Sequence, residues 1–132
     1  MELETGIKVH HFVCSTPYSY AIKLESLFGW GADVVIVEHD MAVKVSQVME
    51  LELCPEDFCA YDYRVSKHHC WGQVKGAVGL GLCRIRVAAQ QGVKARPRVP
   101  QVPYHDLGSA LGERLPPVHL HYPIADHRHE YR

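Results

Sequence analysis

The chain has 132 residues, of which 47% are hydrophobic and 22% charged, and its formal net charge at pH 7 is -1. This composition has neither the basic excess of a nucleic-acid-binding protein nor the low hydrophobicity of a disordered chain. No apolar run reaches the roughly 18 residues of a membrane span, and the N-terminal residues lack the pattern of a signal peptide. We therefore expect a single cytoplasmic domain over residues 1–132 that binds no nucleic acid and spans no membrane.

The first elements in chain order are predicted as a strand, a helix and a second strand. Residues 8–14 favour a strand, and Thr16 followed by Pro17 is typical of a helix start, with the helix running to Phe28. A strand buried on both faces begins near Asp33, because four branched apolar residues follow in a row. Such a unit favours parallel strands joined by a right-handed crossover.

The middle of the chain is predicted as a helix followed by two strands. Residues 41–53 carry apolar side chains at helical spacing, and Pro55 ends the helix because proline disfavours helical backbone in the residue before it. Residues 58–65 are rich in aromatic side chains, and residues 82–87 alternate as a half-buried strand does.

The last third of the chain is predicted to contain a loop, a short helix and a strand. Residues 94–103 contain three prolines, Asp106 is placed to cap a helix at residues 107–115, and residues 118–121 alternate as a strand. We expect residues 122–132 to form a tail that can be flexible. Together the elements predict a compact α/β domain in which helices flank a mixed, mostly parallel sheet.

Two carboxylates flank a histidine where the buried strand ends, at Glu38, His39 and Asp40. Alternation along a strand points Glu38 and Asp40 the same way, and open α/β sheets bind ligands outside the carboxyl ends of their strands. Carboxylates suit Mg²⁺ or Mn²⁺ where a diphosphate supplies further ligands, whereas imidazole shifts the preference towards Mn²⁺, Zn²⁺ or iron. The alternative is a strand end whose acids cap the next helix and face water.

Histidines are concentrated in the last fourteen residues, at His119, His121, His127 and His129. His119 and His121 lie two apart on a predicted strand, so their side chains share one face and can chelate a metal. We favour this pair as metal ligands because its hydrophobic neighbours place it in ordered structure. His127 and His129 are explained equally well by a frayed polar tail.

Four further residues are candidates for substrate binding or catalysis. Gly79 and Gly81 can let the backbone approach a ligand closely, although such a pair also marks a turn or bulge. Trp71 can stack on a sugar or base, or pack in the core. Asp106 can act as a general base, or only cap its helix.

The five cysteines are Cys14, Cys54, Cys59, Cys70 and Cys83, an odd number without a Cys-x-x-Cys pair. This pattern argues against both a disulfide framework and a zinc ribbon. We expect most of these thiols to be buried and to behave as small hydrophobic side chains.

Four segments together resemble small glycosyltransferases of the GT-A type: residues 33–40, residues 54–61, Gly79-Leu80-Gly81 and residues 118–121. In that family a buried strand ends in a short acidic motif of the Asp-x-Asp kind, and Glu38-His39-Asp40 occupies that place. The resemblance implies a truncated nucleotide-diphospho-sugar transferase-like fold. It also implies that Asp40 binds a divalent metal, manganese or magnesium, that bridges the diphosphate of a nucleotide-sugar.

The same resemblance assigns roles to other residues. It implies that Glu38 lies near the ribose or the metal and that His119 or His121 completes the metal shell, and Asp106 is the candidate acid on the acceptor side. The expected function is metal-dependent binding of a nucleotide-sugar, with transfer of the sugar to an unknown acceptor, by a monomer or a homo-oligomer. The alternatives are a non-catalytic binding or assembly module and a small His/Asp metal-dependent hydrolase.

Overall fold

The computed structural model describes residues 9–14, 16–64, 69–70, 80–91 and 115–128. None of the helices in these residues is both long enough and apolar enough to cross a membrane. The elements in chain order are α1 Pro17–Phe28, β1 Val34–Val37, β2 Met41–Ala42, α2 Val45–Leu53, β3 Phe58–Tyr61, β4 Leu82–Ile85, α3 Val87–Gln90, β5 His119–His121 and β6 Asp126–His127.

Helix α1 begins where the sequence predicts it. The Thr16 side-chain oxygen accepts a hydrogen bond from the Ser19 amide at 3.0 Å, and the Ser19 hydroxyl oxygen accepts one from the Thr16 amide at 3.1 Å. Pro17 lies in the first turn, where its missing N–H leaves no intrahelical bond unmade. At the other end the Gly29 amide donates to the Glu25 carbonyl at 3.2 Å. The predicted helix is confirmed.

The N-terminal strand predicted at residues 8–14 is wrong for the residues that the structure describes there, 9–14, which contain no strand. Phe12 in this segment contacts Trp30, with ring centroids 6.5 Å apart, and the Lys23 amine lies 4.3 Å from the centre of the Phe12 ring. Strand β1 pairs with β4 instead of with a preceding strand. The predicted parallel strand–helix–strand unit is therefore wrong as well.

Four strands form one sheet in the order β1-β4-β3-β5. Strand β4 pairs antiparallel with both β1 and β3, and β3 pairs parallel with β5. Strands β1, β3 and β5 therefore run in one direction, and β4 runs in the other. The sheet is mixed, as predicted, but parallel pairing is confined to β3 and β5 because the reversed strand lies between β1 and β3.

Helices cover both faces of this sheet, so the fold is α/β as predicted. Side-chain alternation divides the strands between the two faces. The face towards α1, the α1 face, carries Ile36, Phe58, Ala60, Cys83, Ile85 and Leu120 against Ala21 and Leu24. The face towards α2, the α2 face, carries Val35, Cys59, Tyr61 and Leu82 against Leu51 and Cys54.

A second, two-stranded sheet joins β2 to β6, with Met41 opposite His127 and Ala42 opposite Asp126. Because Met41 and Ala42 belong to a strand, the helix predicted over residues 41–53 begins later, at Val45. Strand β6 lies within the range that the sequence predicted as a flexible tail, and the buried Ala125 beside it donates its amide to Asp62 O at 2.8 Å.

The burial of each strand follows its place in the sheet. Strand β1 lies at an edge and Val37 is 48% exposed, so it is not buried on both faces as predicted. Strand β4 lies between two neighbours and all four of its residues are buried, including Arg84 at 2% exposure. The sequence predicted a half-buried strand there because Arg84 suggests a solvent-facing side.

Candidate functional site

The carboxyl-end edge is the edge of the sheet where β1, β3 and β5 end and β4 begins. Since those three strands run in one direction, the residues that follow them collect there: Glu38 after β1, Asp62 after β3 and Tyr122 after β5. The Glu38 amide donates to Gly81 O at 2.9 Å, and the Asp62 amide donates to His121 O at 3.5 Å. The predicted site residues Glu38 and Gly81 are thus brought together at the edge where α/β sheets bind ligands.

Asp40 contacts His127 at this edge. Its Oδ2 atom lies 2.8 Å from His127 Nε2. The Arg128 amide donates to Asp40 O at 2.7 Å, and the His127 ring packs edge-on against Tyr63 with centroids 4.9 Å apart. Backbone pairing and ring packing therefore fix both side chains in place.

The other ring nitrogen of His127 decides what Nε2 can do. Its Nδ1 atom lies 2.7 Å from the Arg64 carbonyl oxygen, which can only accept, so Nδ1 carries the proton. In the neutral ring Nε2 then presents a lone pair to the Asp40 carboxylate, and two acceptors 2.8 Å apart need a proton or a cation between them. The contact is either an imidazolium–carboxylate ion pair or two ligands that can share one metal ion.

Glu38 is a half-buried carboxyl beside this pair. Burial raises its pKa and the negative charge of Asp40 raises it further, while the neighbouring Tyr20 hydroxyl and the charge of His127 act in the opposite direction. Burial, followed by the charge of Glu38, also holds the pKa of the Tyr20 phenol well above its ordinary range. Glu38 therefore accepts a proton more readily than an ordinary glutamate does.

Gly81 is packed against its own protein. A Cβ atom at this position would lie 2.9 Å from both Met41 Sδ and Tyr63 Cε1. The Gly81 amide donates to the Tyr63 hydroxyl oxygen at 3.1 Å. Close packing alone accounts for glycine here, and its role in substrate binding stays a prediction.

Asp62 is a buried carboxylate, 2% exposed, that follows β3. Its Oδ1 atom accepts from the Tyr63 amide at 3.0 Å, and its Oδ2 atom accepts from the Tyr122 hydroxyl at 3.1 Å. Burial and this bond to Asp62 raise the pKa of the Tyr122 phenol. Asp62 thus fixes the segment that leads from β5 to β6.

The predicted histidine pair lies elsewhere, on the α2 face. His121 stacks on Tyr61 with ring centroids 5.4 Å apart, and the His119 ring is 5.0 Å from it. Within the described ranges, the residues that place three potential metal-binding atoms within 4.8 Å of one another are Cys54, Cys59 and His121. The residue in contact with Asp40 is His127, and the shared metal shell of Asp40 with His119 or His121 stays a prediction.

The buried guanidinium of Arg84 organises the backbone next to these cysteines. It donates to Glu52 O at 2.8 Å, to Cys54 O at 2.6 Å and to Glu56 O at 2.8 Å. Arg86 donates a second bond to Cys54 O, also at 2.6 Å. The connection between α2 and β3 is therefore held by charge-assisted hydrogen bonds from β4 and the residue after it.

Three predicted site residues, Trp71, Gly79 and Asp106, lie outside the described residues. Sequence reasoning gave His127 no preference over a frayed tail. It left Cys54 and Cys59 out because the chain has no Cys-x-x-Cys pair, although a gap of four residues also occurs between zinc ligands. Searches of protein-family models, curated proteins and solved structures each found no match for this chain.

Proposed function

We propose that this chain is a compact GT-A-like domain that binds a nucleotide-sugar through a divalent metal held by Asp40 and His127. The observation that supports it is the 2.8 Å contact between Asp40 Oδ2 and His127 Nε2 at the carboxyl-end edge of the sheet. The resemblance of Glu38-His39-Asp40 to the acidic motif of that family supplies the ligand class. The five free thiols suit the reducing cytoplasm, which we propose as the compartment.

The two side chains fit a metal ion. Neighbouring ligands of an octahedral Mg²⁺ or Mn²⁺ ion lie about 3 Å apart, close to the spacing observed here. The bond from His127 Nδ1 to Arg64 O is the kind of contact that orients metal-binding histidines and fixes their tautomer. One imidazole and one carboxylate favour Mn²⁺ over Mg²⁺.

Each of the proposed site residues has its own role in binding the nucleotide-sugar. Asp40 and His127 leave most of a coordination sphere to a diphosphate and water, as sites of this class do. Glu38 can accept a hydrogen bond from a ribose hydroxyl beside the diphosphate. The chemistry supplied by the bound ion is neutralisation of the charge that develops on the leaving diphosphate. Trp71, Gly79 and Asp106 keep their predicted roles in donor binding and on the acceptor side.

Calorimetry with Mn²⁺ and a panel of nucleoside diphosphates tests this proposal. We expect nucleoside diphosphate to bind only when Mn²⁺ is present, and Asp40→Asn or His127→Gln to weaken Mn²⁺ binding by at least about tenfold. His119→Ala is the comparison variant, since His119 is an exposed histidine of β5: unchanged Mn²⁺ affinity assigns the nitrogen ligand to His127, and a loss assigns a ligand to His119. Metal-independent binding, or unchanged Mn²⁺ affinity in Asp40→Asn, would contradict the proposal.

Sugar transfer itself needs a separate measurement. Release of nucleoside diphosphate from a panel of nucleotide-sugars, with and without added sugar acceptors, distinguishes transfer from simple hydrolysis. Release that requires an acceptor supports a transferase. Metal-dependent binding without any release identifies a binding module, which is the second of the functions expected from the sequence.

A further inference from the structure

The α2 face holds a cluster of three side chains that the proposed function does not use. Cys54 Sγ, Cys59 Sγ and a His121 ring nitrogen all lie within 4.8 Å of one another. Cys54 and Cys59 are buried, and His121 is half-buried at the rim of the cluster. His121 Nε2 is buried without a hydrogen-bond partner among the described residues. A histidine that lies beside two thiols and has a buried, unpartnered ring nitrogen needs a physical explanation.

Each of the three side chains projects from backbone that is held in place. Cys54 follows α2, and its carbonyl oxygen accepts from Arg84 and Arg86 at 2.6 Å each. Cys59 lies on β3 and His121 on β5, and these two strands pair directly, with Tyr61 opposite His121. A metal site on paired strands and an anchored loop keeps its ligands near the required geometry.

The spacing of the cluster suits a tetrahedral ion. With Zn–S bonds of about 2.3 Å and Zn–N bonds of about 2.0 Å, the ligand atoms of such a site lie about 3.5–3.8 Å apart. The three atoms here are already within 4.8 Å, so closure requires inward shifts of only about 1 Å or less. Two sulfurs and one imidazole are a ligand set that selects zinc over magnesium or manganese.

Without a metal the Cys59 sulfur is held as a thiol. Burial and then the hydrogen bond with Cys54 raise the pKa of Cys59 to about 12, and the positive charge of Arg84 acts in the opposite direction. Ion binding displaces the two thiol protons to solvent, and Cys59 gives up its weak S–H contact with Leu51 O at 3.7 Å. Access is from the His121 side, where His119 and Glu50 are exposed.

We propose that Cys54, Cys59 and His121 form a zinc site with an open fourth position, separate from the Asp40–His127 pair. The two sites differ in donor atoms, and neither depends on the other for its ligands. The zinc site therefore does not rest on the proposed glycosyltransferase function.

Cobalt and zinc titrations of the whole chain test this site. The protein is freed of metal by a chelator and kept reduced with a phosphine. We expect one Co²⁺ ion to produce thiolate-to-cobalt charge-transfer absorption and the strong visible bands of a tetrahedral complex, and one equivalent of Zn²⁺ to abolish both. Metal bound only by histidines and carboxylates, including Asp40 and His127, gives no thiolate charge-transfer band.

Variants assign the signal to its ligands. We expect Cys54→Ser and His121→Gln each to lower Zn²⁺ affinity by at least about tenfold, measured by competition with a chromophoric chelator. His121→Gln alters a half-buried side chain, so it decides the question even where Cys54→Ser fails to fold. The matched controls are Cys83→Ala, a buried thiol of the α1 face, and His119→Ala.

Two results would overturn the site. One is the absence of a charge-transfer band in the unmodified protein. The other is His121→Gln with the Co²⁺ spectrum and Zn²⁺ affinity of the parent chain. A third contrary result is loss of Zn²⁺ binding in Cys83→Ala with a native far-ultraviolet spectrum. It would place a sulfur ligand on the α1 face and refute the proposal.

Discussion

The carboxyl-end edge and the α2 face belong to the same sheet but hold chemically different groups. At the edge, Asp40 and His127 offer one oxygen and one nitrogen and are partly exposed. On the α2 face, Cys54 and Cys59 offer two sulfurs in a buried environment. Oxygen ligands open to water suit an ion for which a substrate supplies most of the ligands, whereas two buried thiols suit an ion for which the protein supplies most of them.

The two regions also differ in what holds them. The α2 face depends on buried hydrogen bonds from Arg84, and Asp40 and His127 depend on the short β2–β6 ladder and one carbonyl of Arg64. Substitutions on the α2 face should therefore cost more stability than substitutions at the carboxyl-end edge. The following variants test that difference, beginning with the largest expected effect.

Arg84→Ala should cost the most stability. The change removes a side chain that is 2% exposed, together with its three hydrogen bonds to main-chain carbonyl oxygens. The Cys54 carbonyl keeps its bond from Arg86, whereas the Glu52 and Glu56 carbonyls accept from no other arginine among the described residues. We expect a loss of about 3–5 kcal/mol in the free energy of unfolding, from the cavity and the unsatisfied acceptors together. Urea unfolding followed by circular dichroism measures it.

Arg86→Ala is the control for this prediction. Arg86 donates to Cys54 O, which keeps its bond from Arg84 at 2.6 Å, so we expect a loss of only about 1 kcal/mol. Equal losses in the two variants would mean that Arg84 does not organise the connection between α2 and β3.

Gly81→Ala should cost less and should act at the carboxyl-end edge. The added methyl group would lie 2.9 Å from Met41 Sδ, which can move, and 2.9 Å from a Tyr63 ring carbon, which can move only with its ring. We expect a loss of about 1–3 kcal/mol in unfolding free energy, measured by urea unfolding. Tyr63→Phe removes the hydroxyl that accepts the 3.1 Å hydrogen bond from the Gly81 amide, adds no atom to the packed region and serves as the smaller comparison.

The two regions also differ in how much of them the sequence predicts. The end of β1 could be predicted because four branched apolar residues and the acids after them are adjacent in the chain. The partner of Asp40 could not, since His127 lies 87 residues away and is brought there by the β2–β6 pairing. Two-residue strands of this kind carry no periodicity that a sequence pattern can reveal.

The α2 face was harder still to predict. Arg84 alternates with apolar residues and therefore indicates a solvent-facing side, but β4 lies inside the sheet. The two terminal nitrogens of the guanidinium instead donate to main-chain carbonyls that precede Arg84 by 28 to 32 residues. The burial of Cys59 beside His121 likewise depends on the β3–β5 pairing. The order of the strands in the sheet determines both the burial of Arg84 and the contact of Cys59 with His121, and local periodicity does not encode that order.

Titration offers a finer comparison of the two regions. Glu38 has a folded-state pKa above its ordinary value of 4.5. Between pH 4.5 and that folded-state pKa, the folded protein keeps a proton that the unfolded chain has lost. Its contribution to stability is present below pH 4.5 and is lost as the pH rises through the folded-state value. Glu38→Gln should remove this dependence and raise stability at neutral pH relative to the parent, measured by thermal unfolding of metal-free protein. A parallel pH profile in the two proteins would contradict the assignment.

His121 should have the smallest effect on stability, and the pH dependence that it contributes has the opposite sign to that of Glu38. Burial, and then the charge of His119, lowers its folded-state pKa below 6.5, so the unfolded chain binds a proton at pH values where the folded protein does not. Its contribution is therefore present above pH 6.5 and is lost as the pH falls towards the folded-state value. In metal-free protein, His121→Gln should flatten the acid side of the stability profile and leave the part that depends on Glu38 unchanged. Thermal unfolding of both single variants and the double variant measures this, and additive changes are expected because the two side chains lie in separate clusters.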